Sequence, residues 1–187
     1  GDIDFNSWKY DKVKAMRQPG STFKLFVYTE AMNQGLTPCD KRRDEYISMQ
    51  VYDSKKHEMT TWTPGNANGS FSGDSMALKS AFAKSINSVA VRLGQEMGIK
   101  RIIETAHKMG VDSKLDDTPS LALGSSDMNL LELADSYCTV ADNGRHHAPV
   151  LVTRIVDRDG KEVYRAPEDA EQVIPYKSAF FMQQLLK

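Results

Sequence analysis

The sequence predicts an α+β fold weighted heavily towards helix, with one small antiparallel hairpin as its clearest sheet element. Three observations predict it. Apolar residues recur at helical spacing in several separate segments. Glycines at 35, 98 and 110, and Asn143-Gly144, stand where those patterns stop. A strand–turn–strand pattern appears once, late in the chain. A length of 187 residues suits one domain, expected to cover residues 1–187.

The elements follow in order. After Pro19-Gly20-Ser21 come Phe23, Leu25, Phe26, Val27, Tyr28, Ala31 and Met32, then Gly35. That run is apolar on more than one face, as a buried helix is. Residues 40–45 are a mixed charge run and read as a solvated loop. Residues 46–52 alternate weakly, which suits a short strand. Residues 66–73 are rich in Gly, Asn and Ser and read as loop. Residues 75–84 carry Met76, Leu78, Ala81 and Phe82 on a helical pattern. A second helix starts near Ser88 and carries Val89, Ala90, Leu93 and Met97. Residues 100–109 place Ile102, Ile103, Ala106 and Met109 at helical spacing, and residues 130–141 form a further helix. Residues 150–156, a turn at Asp157-Arg158-Asp159-Gly160 and Glu162-Val163-Tyr164 make the hairpin. Residues 176–187 begin a last helix.

Composition narrows the function. The net charge of −1 provides no electrostatic basis for binding nucleic acid or acidic polymers. No apolar run is long enough to span a membrane, and no signal peptide opens the chain. Cys39 and Cys138 are too few and too far apart for a disulfide framework or a metal site. Cys138 falls in a helical apolar pattern and reads as a buried small hydrophobe, while Cys39 follows Pro38 in a polar loop and reads as exposed. His146 and His147 are adjacent, so their side chains diverge, and no carboxylate stands near them in sequence. They read as a solvated turn, not a metal site. His107 lies on a helix with no partner to name. Neither a metal nor a cofactor is expected.

The chemistry concentrates in Arg17-Gln18-Pro19-Gly20-Ser21-Thr22-Phe23-Lys24. Residues three apart on a helix share a face. The Lys24 amine can therefore sit beside the Ser21 hydroxyl and strip its proton, as a base does for a nucleophile. Burial in so apolar a helix lowers a lysine's pKa and frees the amine near neutral pH. The bland alternative is a capping serine and a surface lysine on an amphipathic helix. A second polar set, Ser85-Ile86-Asn87, lies in a tight connection between two helical patterns. There Asn87 or Ser88 could simply cap the second helix. Its order after Ser21 and Lys24 favours a shared cleft.

With those motifs, the chain resembles the transpeptidase domain of the class A, bifunctional penicillin-binding proteins. Ser-x-x-Lys and Ser-x-Asn are the first two of three motifs in that family and in the serine β-lactamases; the third is Lys-Thr-Gly. The resemblance extends through Trp62-Thr63-Pro64-Gly65-Asn66, residues 78–93, Pro119-Ser120-Leu121-Ala122-Leu123-Gly124-Ser125, residues 130–141 and residues 149–160. By this resemblance Trp62 lines the cleft or belongs to the core.

The resemblance implies acyl transfer in which Ser21 is the nucleophile and Lys24 its base. Ser85 relays a proton to the leaving amine, and Asn87 holds the substrate backbone and orients Lys24. It implies peptidoglycan stem peptides ending in D-Ala-D-Ala as substrates and β-lactam antibiotics as inhibitors. The location implied is extracytoplasmic, with a membrane anchor and a glycosyltransferase domain upstream. The chain departs from the family in two ways. It holds no Lys-Thr-Gly, Lys-Ser-Gly or His-Thr-Gly, and only twenty residues precede Ser21, where the family carries strands. Residues 1–187 are thus expected to be the helical half of the penicillin-binding protein and serine β-lactamase-like fold. The central sheet is expected to be largely missing, and the segment to be inactive alone. A class D β-lactamase shares Ser-Thr-Phe-Lys but carries Ser-x-Val second, where this chain has Asn87. A non-catalytic β-lactam receptor, in which acylation is the signal, is the other alternative; slow deacylation without cross-linked product marks it.

Overall fold

A helix that is apolar on every side must be surrounded by others. In the computed structural model, which describes residues 11–53 and 56–187, the helices are α1 (Lys24–Asn33), α2 (Leu78–Ala83), α3 (Asn87–Met97), α4 (Ile99–Lys108), α5 (Leu130–Ala141) and α6 (Tyr176–Leu185). Every residue of α1 from Lys24 to Met32 is buried. Helices α3, α4 and α6 pack directly around it. The core gathers Phe26, Val27 and Ala31 of α1 with Val89 and Leu93 of α3, Ile102 and Ala106 of α4, and Ala179 and Met182 of α6. Full burial of one such aliphatic or aromatic side chain contributes roughly 1.5–3 kcal/mol, so α1 is the element on which the core depends.

The strands are β1 (Lys41–Arg43), β2 (Met49–Asp53), β3 (Glu58–Trp62), β4 (Ser75–Ala77), β5 (Arg145–His146), β6 (Arg154–Val156), β7 (Glu162–Arg165) and β8 (Glu171–Gln172). They pair antiparallel as β1 with β4, β2 with β3, β5 with β8 and β6 with β7, giving four separate two-stranded ladders. Among the described residues no larger sheet forms. The arrangement is α+β, as the sequence predicts.

Helices α4, α5 and α6 lie where apolar spacing predicts them. Other expectations need correction. The charge run at 40–45 is not a solvated loop. Lys41–Arg43 pairs with Ser75–Ala77 in the register Lys41↔Ala77, and Asp44 is buried. The helix expected from Ser75 therefore starts only at Leu78, because the preceding three residues are held by a partner more than thirty positions away. Strand β2 begins at Met49, later than alternation suggests, and its partner β3 was not foreseen. The late hairpin is shorter than expected. Residues 150–153 lie outside its strands, and every residue from 149 to 165 is exposed, so no buried face extends the pairing. Cys138 is exposed, not buried. Helix α5 buries Ser136, Thr139 and Val140, which leaves position 138 on its outer side. Cys39 is exposed, as expected. Trp62 is partly buried against the core from strand β3. No helix among the described residues is long and apolar enough to cross a membrane. Of the twenty residues before Ser21, the first ten lie outside the described residues. The other ten contribute one isolated bridge, Arg17 to Met128.

Candidate active site

The chain reaches α1 through a 3-10 turn at Gly20–Phe23. Ser21 lies in that turn and is exposed, whereas Lys24 opens α1 and is buried at 2% exposure. A second 3-10 turn, Pro119–Leu123, packs against the first. Gly124 ends it at φ 74°, and a Cβ there would overlap the Gly20 carbonyl oxygen. The Gly20 N–H donates to the Gly124 carbonyl at 3.3 Å. Only glycine permits this contact, which fixes the turn carrying Ser21.

The structure brings Ser21, Lys24, Ser85 and Asn87 together. Lys24 Nζ lies 3.2 Å from Ser21 Oγ, 2.9 Å from Ser85 Oγ, 2.8 Å from the Ser85 carbonyl oxygen and 2.7 Å from Asn87 Oδ1. Four oxygens thus surround a group with at most three N–H bonds. As a neutral amine it donates twice, to the Ser85 carbonyl and Asn87 Oδ1, and turns its lone pair to a hydroxyl. Burial pulls the Lys24 pKa down from 10.5 to about 8, so a sizeable neutral fraction exists near neutral pH.

Ser85 follows α2 with φ 52°, a left-handed conformation that costs a non-glycine residue on the order of 1–3 kcal/mol. This conformation accompanies the presentation of both its carbonyl and its hydroxyl to Lys24. Helix α3 then begins at Asn87 with no side-chain cap of its own. Neither Asn87 nor Ser88 caps it. Asn66 does so from the loop after β3, where its Oδ1 accepts the N–H groups of Asn87 at 3.0 Å and Ser88 at 3.1 Å. Asn87 is therefore free to use its side chain elsewhere. Its Nδ2 donates to the Gly65 carbonyl at 2.8 Å while its Oδ1 faces Lys24.

A buried carboxylate stands behind this cap. Asp44 accepts from Asn66 Nδ2 at 2.7 Å, from the Ser88 hydroxyl at 2.7 Å and from the Ser72 N–H at 2.9 Å. Burial opposes its charge, but these hydrogen bonds outweigh that and hold the carboxyl below the usual carboxylate range. Sequence reasoning did not single out Asp44 or Asn66, and named Ser88 only as a candidate cap of α3. Asn66 stood in the quoted Trp-Thr-Pro-Gly-Asn run, but Asp44 was hidden among the charges around it.

The histidines lie apart from this site. His146 pairs with Asp135 at 2.8 Å and His147 with Asp142 at 2.6 Å. Carboxylates that are distant or unremarkable in sequence thus come to both rings, against expectation, although the two side chains do diverge. His107 Nδ1 lies 2.5 Å from the Val111 carbonyl oxygen. Among the described residues no group of three or more metal-ligating side chains converges.

Comparison with known proteins gives a consistent result. A family model described as the penicillin binding protein transpeptidase domain matches residues 2–187. The chain is 32% identical over 181 residues to penicillin-binding protein 2D of Bacillus subtilis, covering 96% of this chain and 26% of that protein. It is 34% identical over 166 residues to penicillin-binding protein 1A of Rickettsia prowazekii, covering 88% of this chain and 20% of that one. It therefore spans only about a fifth to a quarter of the length of these relatives. Among solved structures, penicillin-binding protein 1A from Haemophilus influenzae superposes with a TM-score of 0.86 at 25% identity, over 97% of this chain and 31% of that one. PonA1 from Mycobacterium tuberculosis, solved in complex with penicillin V, shares the fold with a TM-score of 0.79 at 21% identity, over 95% of this chain and 48% of its own. Motif order, buried lysine and fold agree with a match that runs almost from end to end, and the chain belongs to the penicillin-binding protein transpeptidase domain family.

Proposed function

We propose that this chain carries the acylation half-site of a peptidoglycan D,D-transpeptidase, an enzyme that cross-links cell-wall strands through a serine acyl-enzyme. The observation that carries the reading is the Lys24 amine held between Ser21 Oγ at 3.2 Å and Ser85 Oγ at 2.9 Å. The neutral amine takes the Ser21 proton as Oγ attacks the carbonyl between the two terminal D-alanines of a stem peptide. The C–N bond breaks, and the departing D-alanine amine receives a proton from the Lys24 ammonium by way of the Ser85 hydroxyl. An amine on a neighbouring strand then attacks the ester, forms the new amide and returns a proton to Ser21. Asn87 donates to the substrate backbone and orients Lys24. The Ser21 N–H, in the turn that leads into α1, supplies one oxyanion donor.

β-Lactams mimic the D-alanyl-D-alanine end and acylate Ser21 in the same way. A peptidoglycan substrate puts the proposed reaction outside the cytoplasm, in a protein whose family resemblance implies a membrane anchor. No nucleic acid, metal or cofactor enters the scheme. The test is the intact mass of the full-length protein after incubation with penicillin. One covalent adduct on the peptide containing Ser21, together with cross-linked product from a pentapeptide substrate, supports the reading. An adduct without any cross-linked product makes the protein a β-lactam receptor. No adduct at Ser21 removes the nucleophile assignment.

A further inference from the structure

We propose that Asp44 and Asn66 are positioning residues for this site, a buried pair that fixes the first turn of α3 and through it holds Asn87 and Ser85 against Lys24. The proposal rests on the reading of Lys24 as the base. Its geometry is continuous. Asp44 is 3% exposed, Asn66 7% and Ser88 fully buried, so no water competes for their hydrogen bonds. The Asp44 carboxylate can only accept. It takes Asn66 Nδ2 at 2.7 Å and thereby turns Asn66 Oδ1 towards α3, where that single oxygen accepts both the Asn87 and Ser88 N–H groups. The Ser70 carbonyl accepts the other Asn66 Nδ2 proton at 3.0 Å, which makes the opposite amide orientation a clash of acceptors. The Ser88 hydroxyl closes the ring back onto Asp44 Oδ1 at 2.7 Å. Beyond the cap, Asn87 is clamped between the Gly65 carbonyl at 2.8 Å and Lys24 Nζ at 2.7 Å. Each end of the chain Asp44–Asn66–Asn87–Lys24 is therefore determined by the one before it.

This arrangement does what a local cap cannot. A cap from the residue preceding α3 would satisfy the helix yet leave Asn87 free to swing. Here the same residue that caps α3 belongs to the segment whose Gly65 carbonyl anchors Asn87, so helix and side chain are set together. The groups that contact Lys24 Nζ are all uncharged: Ser21, Ser85 and Asn87. The side chains that contact Asp44, namely Asn66, Ser88 and Ser72, are neutral as well. The charged neighbours Arg43 and Glu45 instead pair with each other, and Glu45 with Arg92, nearer the surface. Asp44 thus acts on the amine through position, with a charge kept inside its own ring of donors.

The consequence is measurable on Lys24 itself, independently of turnover. Asp44→Asn places an NH2 group where Asn66 Nδ2 or the Ser72 N–H needs an acceptor. The first turn of α3 then loosens, Asn87 withdraws and water reaches the amine. In the full chain labelled at lysine, NMR titration of the Lys24 Cε and Nζ signals should give a midpoint near 8 in the unmodified protein. The midpoint should rise towards the ordinary lysine value in Asp44→Asn and in Asn66→Ala. Acylation by penicillin at neutral pH should fall about a hundredfold, as a small misplacement of a reacting group can cause. Ser88→Ala removes one donor from Asp44, leaves the Asn66 cap intact and should move the midpoint in the same direction by less. If Asp44→Asn does not fold, Ser88→Ala and Asn66→Ala decide. Folded variants that lose thermal stability while Lys24 titrates unchanged would overturn the proposal, because the pair would then be structural only. A shifted Lys24 in a protein that forms no acyl adduct would uphold the positioning role and remove the transpeptidase reading instead.

Discussion

At the scale of single residues, the site is an exposed hydroxyl above a buried amine, and each can be tested separately. Ser21→Ala in the full-length protein should abolish penicillin labelling. Loss of an acyl-transfer nucleophile commonly costs about a million-fold in rate, and a drug adduct persisting on that variant would exclude Ser21. Lys24→Arg should be nearly as damaging as Lys24→Ala, since a guanidinium stays protonated and cannot accept the Ser21 proton. Retention of most of the acylation rate by the arginine variant would reduce Lys24 to an electrostatic partner. In the proposed scheme the neutral amine is the reacting form, and its pKa is pulled to about 8, so the acylation rate should climb with pH up to about 8 and level off above it. Stability should follow the same group. Lys24 titrates near 8 when folded and near 10.5 when unfolded, so between those values the unfolded chain binds more protons. Folding stability therefore rises with pH across that window, and Lys24→Met should lack this rise in denaturant titrations run from pH 7 to pH 10.5.

At the scale of elements, local pattern and distant pairing separate cleanly. The Ser21–Lys24 pair was legible because a helix brings positions three apart together, and the depth of Lys24 was legible in the apolar residues on every side of α1. The approach of Ser85 and Asn87 could be read only from motif order, since no periodicity reports a contact across sixty residues. Asp44 was not legible at all. Its neighbours are Arg43, which is exposed, and Glu45, which is half-buried, and a strand partner at 75–77 turns position 44 inward between them. Cys138 failed for the converse reason: its helix was right, but the buried stripe was made of Ser136, Thr139 and Val140. The turn-to-turn contact that fixes Ser21 gives the prediction at this scale. Gly124→Ala puts a methyl group into the Gly20 carbonyl at a left-handed backbone position. It should cost at least about 2 kcal/mol, from the conformation and the overlap together, and should slow acylation more than it lowers the folded fraction, because the turn that must move carries Ser21, the proposed nucleophile. Thermal unfolding alongside penicillin labelling separates the two effects. Equal losses in both would mean that the contact serves stability alone.

At the scale of the whole molecule, the described residues form a helical core with four small ladders, and none of these ladders grows into a sheet that could flank the Ser21 cleft. The segment contains no Lys-Thr-Gly. By the resemblance to the family, the strand that carries Lys-Thr-Gly would supply groups that bind the substrate carboxylate and a second oxyanion donor. One such donor is worth roughly 3 kcal/mol, or on the order of a hundred- to a thousand-fold in rate. Apolar side chains also remain at the surface of this segment, with Leu130 57%, Tyr176 63% and Phe180 44% exposed on the helices and Leu151 fully exposed before β6. Apolar surface of this kind favours association when no partner covers it. Residues 1–187 by themselves should therefore react with a fluorescent penicillin at least about a hundredfold more slowly than a longer form of the protein that includes Lys-Thr-Gly, and should sediment as more than a monomer at high concentration. Both forms carry Ser21 and Lys24, so the difference in rate measures what the third motif adds. Stoichiometric labelling of residues 1–187 at the rate of the longer form would show that Ser21, Lys24, Ser85 and Asn87 suffice for acylation, and the cleft would then need no flanking strand to capture a β-lactam.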